Sequence, residues 1–259
     1  IQAKDIDLIL VATSTPDHIA FPSTACIIQE KLRCHNTPAF DISAACSGFS
    51  FALSTGHAFI NSNMYKTILV IGVDCLSKIT NMNDRTTCIL FADAAGAAIL
   101  QKSDTNYLLY SKMYSDGSLG DILSVPKGGS KDPITNEIIE QSQHTIQMNG
   151  RAVFKIAIQK IIPAIKKGLN AINLSTKNID YLICHQANQR ILDNIATQLN
   201  LSPKKIISNV NKYGNTSAAS IPLAMSEHHT SSPFKPGDII VLAGFGAGFT
   251  WGVNIIKWK

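Results

Sequence analysis

Three residues stand where their types and surroundings could do chemistry together: Cys46, His185 and Asn215. Cys46 lies in Asp41-Ile-Ser-Ala-Ala-Cys-Ser-Gly, after a short predicted strand, Pro38–Ser43, that closes on Ala44 and Ala45. Beyond Ser47-Gly48, the residues Phe49, Ala52, Leu53, Gly56, Phe59 and Ile60 recur at i, i+3/i+4, the buried face of a helix. A cysteine at a strand-to-helix junction meets unpaired amide N–H groups and the positive end of the helix dipole. The thiolate is then stabilised and the pKa is expected to fall. The plainer reading, a small buried hydrophobe, fits most free cysteines. His185 opens His185-Gln-Ala-Asn at another strand-to-helix junction, and Asn215 sits in a Tyr213-Gly-Asn-Thr-Ser turn. Each alone is an ordinary core or turn residue. Together they form a set: a thiolate makes thioesters readily, and a neutral imidazole and an amide donate hydrogen bonds without bringing a carboxylate. Such donors suit an enolate oxygen whose charge develops during decarboxylation or carbon–carbon bond formation. A carboxylate partner would instead hold an imidazolium for acyl transfer to water.

The elements that must position these residues read as alternating strands and helices. Asp5–Thr13 is a nearly continuous apolar strand, as in a sheet covered on both faces. A helix at Ala25–Leu32, the Cys46 strand and helix, and a buried strand at Tyr65–Asp74 follow. Thr87–Gln101 is predicted as two short strands around a small-residue turn, and Lys112–Gln147 as an excursion of loops. Gly150–Ile172 is a helix with Phe154, Ile158, Ile161, Ile162, Ile165 and Leu169 on one face, kinked at Pro163.

A repeat then appears. Lys4-Asp-Ile-Asp-Leu-Ile has the pattern of Lys177-Asn-Ile-Asp-Tyr-Leu-Ile. After the second copy come a helix (Gln189–Leu199), a strand running into a small-residue turn, a helix (Ala218–Glu227) and strands at Asp238–Ala243 and Thr250–Lys257, in the order seen after the first. Two copies of one unit imply a duplicated α/β fold with a pseudo-twofold axis, divided at 1–103 and 104–259. The second copy has strands and a long helix before its Ile-Asp strand. The first has none, so roughly sixty residues of the first half are expected to be missing. The turn at Cys46 pairs with the turn at Tyr213–Ser217, and Thr13 with His185. Ligand sites in open α/β sheets gather beyond strand carboxyl ends, so Cys46, His185 and Asn215 should converge.

Composition bounds the function classes. The chain has 259 residues, 45% hydrophobic and 16% charged, enough for a sizeable core. No apolar run is long enough for a membrane span. The first residue is Ile1, which reads as a processed or truncated start, with no signal peptide. The six cysteines form no C-x-x-C pair and favour reduced thiols in the cytoplasm. No metal-ligand spacing is present. The net charge of +5 is dispersed rather than striped, unlike a nucleic-acid surface, and would help steer an acidic partner.

These motifs, with Asn83-Asp-Arg, Phe91-Ala-Asp-Ala-Ala-Gly-Ala, Gly214-Asn-Thr-Ser-Ala-Ala-Ser-Ile-Pro and Gly244-Phe-Gly-Ala-Gly-Phe-Thr-Trp-Gly, resemble those of β-ketoacyl-acyl-carrier-protein synthase III, a condensing enzyme of the thiolase fold. The resemblance runs along essentially the whole chain. It implies a thiolase-like duplicated αβαβα layered fold with the N-terminal part of the first half missing, in a homodimer. It also implies an acyltransferase that initiates fatty-acid synthesis without a resident cofactor, its coenzyme A thioester being a substrate.

In that family's reaction Cys46 would take an acyl group from acyl-coenzyme A, with acetyl the expected primer. Malonyl-acyl-carrier protein would then lose CO2 and attack the thioester. His185 and Asn215 would hold the enolate oxygen, and the amides of Cys46 and Ala247 the oxyanion of the acyl-enzyme step; relatives commonly carry Gly where Ala247 stands. Arg85 would flank the adenine, Asn188 would contact the pantetheine, and Phe21 would cross a dimer interface. Phe91, Met148, Phe154 and Phe245 would line the tunnel; Lys155 and Arg190 would dock the carrier protein. Thr197 and Gln198 stand where relatives often have lysines. The tryptophan that stacks on the adenine in relatives lies in the missing stretch.

Other readings stay open at the level of sequence. Gly244-Phe-Gly-Ala-Gly invites a phosphate loop, but the strand Thr250–Lys257 follows it rather than a helix. A cysteine hydrolase also uses Cys and His. A sister condensing enzyme acting on longer or non-fatty acyl-coenzyme A shares the same set, and a non-catalytic carrier-binding homologue would share the fold.

Overall fold

A computed structural model describes residues 1–259. Two four-stranded mixed sheets carry the chain. In the first, strands β1 (Leu8–Ala12), β2 (Ala39–Ile42), β3 (Thr67–Cys75) and β4 (Asp93–Gln101) run in the order β2-β1-β3-β4, the first three parallel and β4 antiparallel to β3. In the second, β5 (Leu108–Ser115), β8 (Tyr181–Cys184), β9 (Ile239–Gly246) and β10 (Thr250–Lys257) run in the order β5-β10-β9-β8. A small antiparallel pair of β6 (Leu123–Ser124) and β7 (Gln147–Met148) lies between β5 and β8 in sequence.

The duplication is visible in the pairing. β1 and β3 are parallel neighbours, as β8 and β9 are, and each antiparallel strand, β4 or β10, follows on the far side. The counterpart of β2 has shrunk to one parallel bridge, Leu182 with Ile206. β5 has no counterpart in the first sheet, where β4 is the edge.

The helices are α1 (Thr24–Leu32), α2 (Gly48–Asn61), the short α3 (Asn136–Glu140), α4 (Gly150–Ala171), α5 (Gln189–Gln198), the one-turn α6 (Val210–Tyr213) and α7 (Ser220–Ser231). α2 packs on β1 and β3 of one sheet and on β9 and β10 of the other, and α7 also touches both sheets. These two form the middle layer; α1 covers the outside of the first sheet, and α4 with α5 the outside of the second. The result is the expected αβαβα layering. One core cluster joins the halves, with Leu8, Leu10, Phe49 and Leu53 against Ile183, Ile221, Ile240 and Leu242. Phe49 is fully buried there, worth about 1.5–3 kcal/mol relative to exposure. No helix is long and apolar enough to cross a membrane.

Two expectations need correction. Thr87–Gln101 is not two strands about a turn. Residues 87–92 are irregular and β4 is one continuous nine-residue strand. Its run of Ala and Gly is small because α7 lies directly on it: a Cβ on Gly96 would stand 2.8 Å from the Leu223 nitrogen. Within Lys112–Gln147, the first residues complete β5, and the β6–β7 pair and α3 follow. The α4 helix runs on past Pro163 for its full 22 residues.

Candidate active site

Cys46 follows β2 through a tight turn. Ala45 adopts φ 46°, in the left-handed region, and the 3-10 turn Ala45–Ser47 continues into α2. That backbone costs an alanine about 1–2 kcal/mol, and it aims Cys46 at the end of the second sheet. Ser47 pins the turn by donating its hydroxyl to the Ala44 carbonyl at 2.7 Å. Gly246, at the end of β9, lies flat against it: an added Cβ would fall 2.8 Å from both the nitrogen and the Cβ of Cys46. Only glycine admits this approach of strand to turn.

His185 follows β8, its N–H donating to the Ala243 carbonyl at 2.8 Å. Its ring stands edge-on to Phe245, 5.2 Å between centroids. Nδ1 lies 2.9 Å from Ser220 Oγ, and that oxygen accepts the Gln186 N–H at 3.3 Å. With the Ser220 hydroxyl donating to Nδ1, the imidazole hydrogen lies on Nε2, the tautomer that makes Nε2 a donor. Burial pushes the His185 pKa down to about 3, so the ring is neutral.

Asn215 is fixed by a parallel bridge to Phe91: its N–H donates to the Leu90 carbonyl at 2.8 Å, and its carbonyl accepts from Ala92 at 2.9 Å. Its side-chain Oδ1 accepts the Ser217 N–H at 2.9 Å. The Nδ2 amino group is left as the donor.

All three residues line one cavity of about 130 Å³, together with Phe91, Met148, Phe154, Asn188 and Phe245. None of its lining residues is Asp, Glu, Lys or Arg. The cavity adjoins a wider cleft, sharing Leu90, Met148, Gly150, Phe154 and Asn188 with it, and Arg151 and Arg190 line the outer part. Asp74 is fully buried but serves backbone groups outside the cavity, accepting from Ser14 at 2.6 Å and from Ala218 at 3.2 Å.

One expectation about Cys46 is reversed. Burial pushes its pKa up to about 12; the Ser217 hydroxyl, 3.4 Å from Sγ, and the cysteine's own N–H pull the other way without cancelling it, while the Asp74 charge adds to the rise. Burial away from water is the largest influence on this sulfur and favours the neutral thiol. Cys46 is a thiol at rest.

The remaining predicted residues separate. Asn188 also caps α5, its Oδ1 accepting from Ile191 at 3.0 Å. Arg190 lies on the outer cleft. Arg85 and Lys155 are exposed and line neither space. Phe21 is 85% exposed, on the loop before α1. Ala247 does not line the cavity; it follows Gly246 in the turn to β10, and its amide takes no partner in the chain. Sequence reasoning missed Ser217, Ser220 and Phe249. The first two lie inside the Gly214-Asn-Thr-Ser-Ala-Ala-Ser motif, where small residues read as turn formers, and Phe249 lies inside the Gly244 motif.

An acylatable sulfur beside two neutral donors, in a space without charge, is the equipment of a condensing enzyme rather than a hydrolase. Comparison with known proteins gives the same class. The family described as 3-oxoacyl-[acyl-carrier-protein] synthase III matches residues 40–117, and its C-terminal counterpart residues 169–258. The β-ketoacyl-[acyl-carrier-protein] synthase III of Clostridioides difficile is 46% identical over all of this chain and 78% of the relative. That of Trichodesmium erythraeum is 49% identical over all of this chain and 79% of the relative. The crystal structure of 3-oxoacyl-[acyl-carrier-protein] synthase III from Aquifex aeolicus superposes with a TM-score of 0.90 at 38% identity, over all of this chain and 79% of that one. The chain belongs to the β-ketoacyl-acyl-carrier-protein synthase III family.

Proposed function

We propose that this chain joins an acyl-coenzyme A to malonyl-acyl-carrier protein by decarboxylative Claisen condensation, giving 3-ketoacyl-acyl-carrier protein and initiating fatty-acid synthesis. In the first stage Cys46 Sγ attacks the thioester carbonyl, the bond to coenzyme A breaks, and the thiol proton leaves with the coenzyme A sulfur. The amides of Cys46 and Ala247 hold the oxyanion; the unpartnered Ala247 N–H supports this role. In the second stage the bond from the malonyl carbon to its carboxylate breaks, CO2 departs, and the electron pair passes to the thioester oxygen as enolate. His185 Nε2–H and Asn215 Nδ2–H stabilise that oxygen. The carbon then attacks the Cys46 thioester, and the released sulfur takes a proton.

The observation that carries the reading is the pair of neutral donors beside Cys46 in a cavity with no charged lining residue. No cation is there to hold the malonyl carboxylate in its ground state, and no carboxylate to turn His185 into an imidazolium. Coenzyme A enters as substrate, and the chemistry needs no resident cofactor. The small cavity suits a short primer such as acetyl. Arg85 and Asn188 would contact coenzyme A, and exposed Lys155 and Arg190 would meet the acidic carrier. The exposure of Phe21 supports its reaching a second copy in a homodimer. Six free cysteines agree with a reducing, cytoplasmic setting.

Mass spectrometry of the Cys46 peptide after exposure to a panel of acyl-coenzyme A donors tests this. An acetyl adduct that is absent from Cys46→Ala is expected, and malonyl-acyl-carrier protein should then convert it to a 3-ketoacyl product. Free fatty acid in place of that product would move the chain to the hydrolases.

A further inference from the structure

The two enolate donors come from separate loops, and one polar network holds those loops together. Gln186, next to His185, is fully buried and donates through Nε2 to the carbonyls of Cys184, at 2.8 Å, and Ile207, at 3.3 Å. Its Oε1 accepts the N–H of Asn209 at 3.0 Å. Asn209 begins the one-turn helix α6, which ends at Gly214 immediately before Asn215. A four-residue helix has too few internal hydrogen bonds to hold itself. Besides Gln186, α6 is held from outside by Glu227, in α7. Glu227 Oε2 accepts from Asn209 Nδ2 at 3.0 Å, and Oε1 from Tyr213 OH at 3.2 Å, while the Lys212 ammonium bonds the same Oε1. Three side chains of the α6 segment thus converge on one carboxylate. The same helix α7 begins at Ser220, which orients His185. No part of Glu227 lines the catalytic cavity.

We infer that Glu227 is a positioning residue for the decarboxylation step: by clamping Asn209, Lys212 and Tyr213 it steadies α6 and, together with the backbone bridge of Asn215 to Phe91, sets the place of the Asn215 amide relative to His185. This rests on the role proposed above for Asn215. Hydrogen bonding from Lys212, and then from Asn209, holds the Glu227 carboxyl below its ordinary pKa, which keeps the clamp charged. Misplacing a catalytic donor by even a fraction of its reach is costly to rate. The Cys46 turn, by contrast, is held by Ser47 and packed against Gly246, and does not depend on Glu227.

The test measures both half-reactions, acylation of Cys46 by acetyl-coenzyme A and CO2 release from malonyl-acyl-carrier protein, in Glu227→Ala, Glu227→Gln, Asn215→Ala and the Glu227→Ala/Asn215→Ala pair. In Glu227→Ala the kcat of CO2 release should fall at least about tenfold. The KM for the carrier substrate and the acylation rate should stay within about twofold. Glu227→Gln, which keeps an oxygen for Asn209, should recover part of the loss. In the Asn215→Ala background, removing Glu227 should cost nothing more, because its effect passes through the missing amide. Equal loss in both half-reactions, no loss in either, or full additivity in the pair would overturn the inference. If Glu227→Ala does not fold, Lys212→Met and Tyr213→Phe each remove one arm of the clamp and should show the same split at smaller size; its absence there would count equally against it. Asn215→Ala separates the two levels. If it releases CO2 at the parent rate, the proposed function fails. If it does not while Glu227→Ala does, only the positioning role fails.

Discussion

The turn at Cys46 and the turn at Ser217 occupy matching places in the two halves, and their backbones agree. Each opens a 3-10 turn with a residue in the left-handed region, Ala45 at φ 46° and Ser217 at φ 50°, and each runs into a middle-layer helix, α2 or α7. Their side chains differ. After Ala45 comes the thiol; after Ser217 comes Ala218, while Ser217 sends its hydroxyl across to the Cys46 sulfur at 3.4 Å and binds Asn215 with its N–H. The two corners share one backbone conformation; in the reaction proposed above, one carries the acyl group and the other adjoins the Asn215 donor. The strain is shared, the chemistry is divided.

Burial acts on both sides of the comparison. It raises the Cys46 pKa and lowers that of His185, so both groups are neutral at rest. Thiolate should therefore accumulate only as pH rises. Alkylation of Cys46 by iodoacetamide should quicken about tenfold per unit between about pH 6 and 9, with no plateau. A plateau below about pH 8 would mean that the helix dipole outweighs desolvation. Ser217→Ala removes the one side-chain donor that reaches across the corners. Losing a single hydrogen bond to sulfur should slow that alkylation at fixed pH by about three- to tenfold. An unchanged rate would make the Ser217 contact incidental. The smallest effect belongs to the outer cleft, far from either corner. Arg190→Glu should raise the KM for malonyl-acyl-carrier protein several-fold, more at low salt, and spare acetyl-coenzyme A. Equal effects on both substrates would remove Arg190 from carrier docking.

Much of this was legible in the sequence because the determinants were local. The apolar run Leu8–Ala12 could only be a strand covered on both faces, and it is buried throughout. The Ile-Asp repeat gave the duplication, and strand-end logic brought Cys46, His185 and Asn215 to one place. What could not be read depended on contacts distant in sequence. The alanines of β4 look like a turn until α7 is laid on them. The raised pKa of Cys46 is not legible locally, because the helix start shows in the local pattern while the depth of burial, set by Gly246 and α2, does not. Ser220 and Glu227 act through His185 and α6, elements 14 to 35 residues away in the chain, and no local signal marks them.

The central claim is that the two corners divide the reaction between them, and it is tested most directly by following both stages in one sample. His185→Ala and Asn215→Ala should each still acquire an acetyl group on Cys46 from acetyl-coenzyme A, while CO2 release from labelled malonyl-acyl-carrier protein falls about 10²- to 10³-fold. Loss of both stages to the same extent in either variant would contradict it.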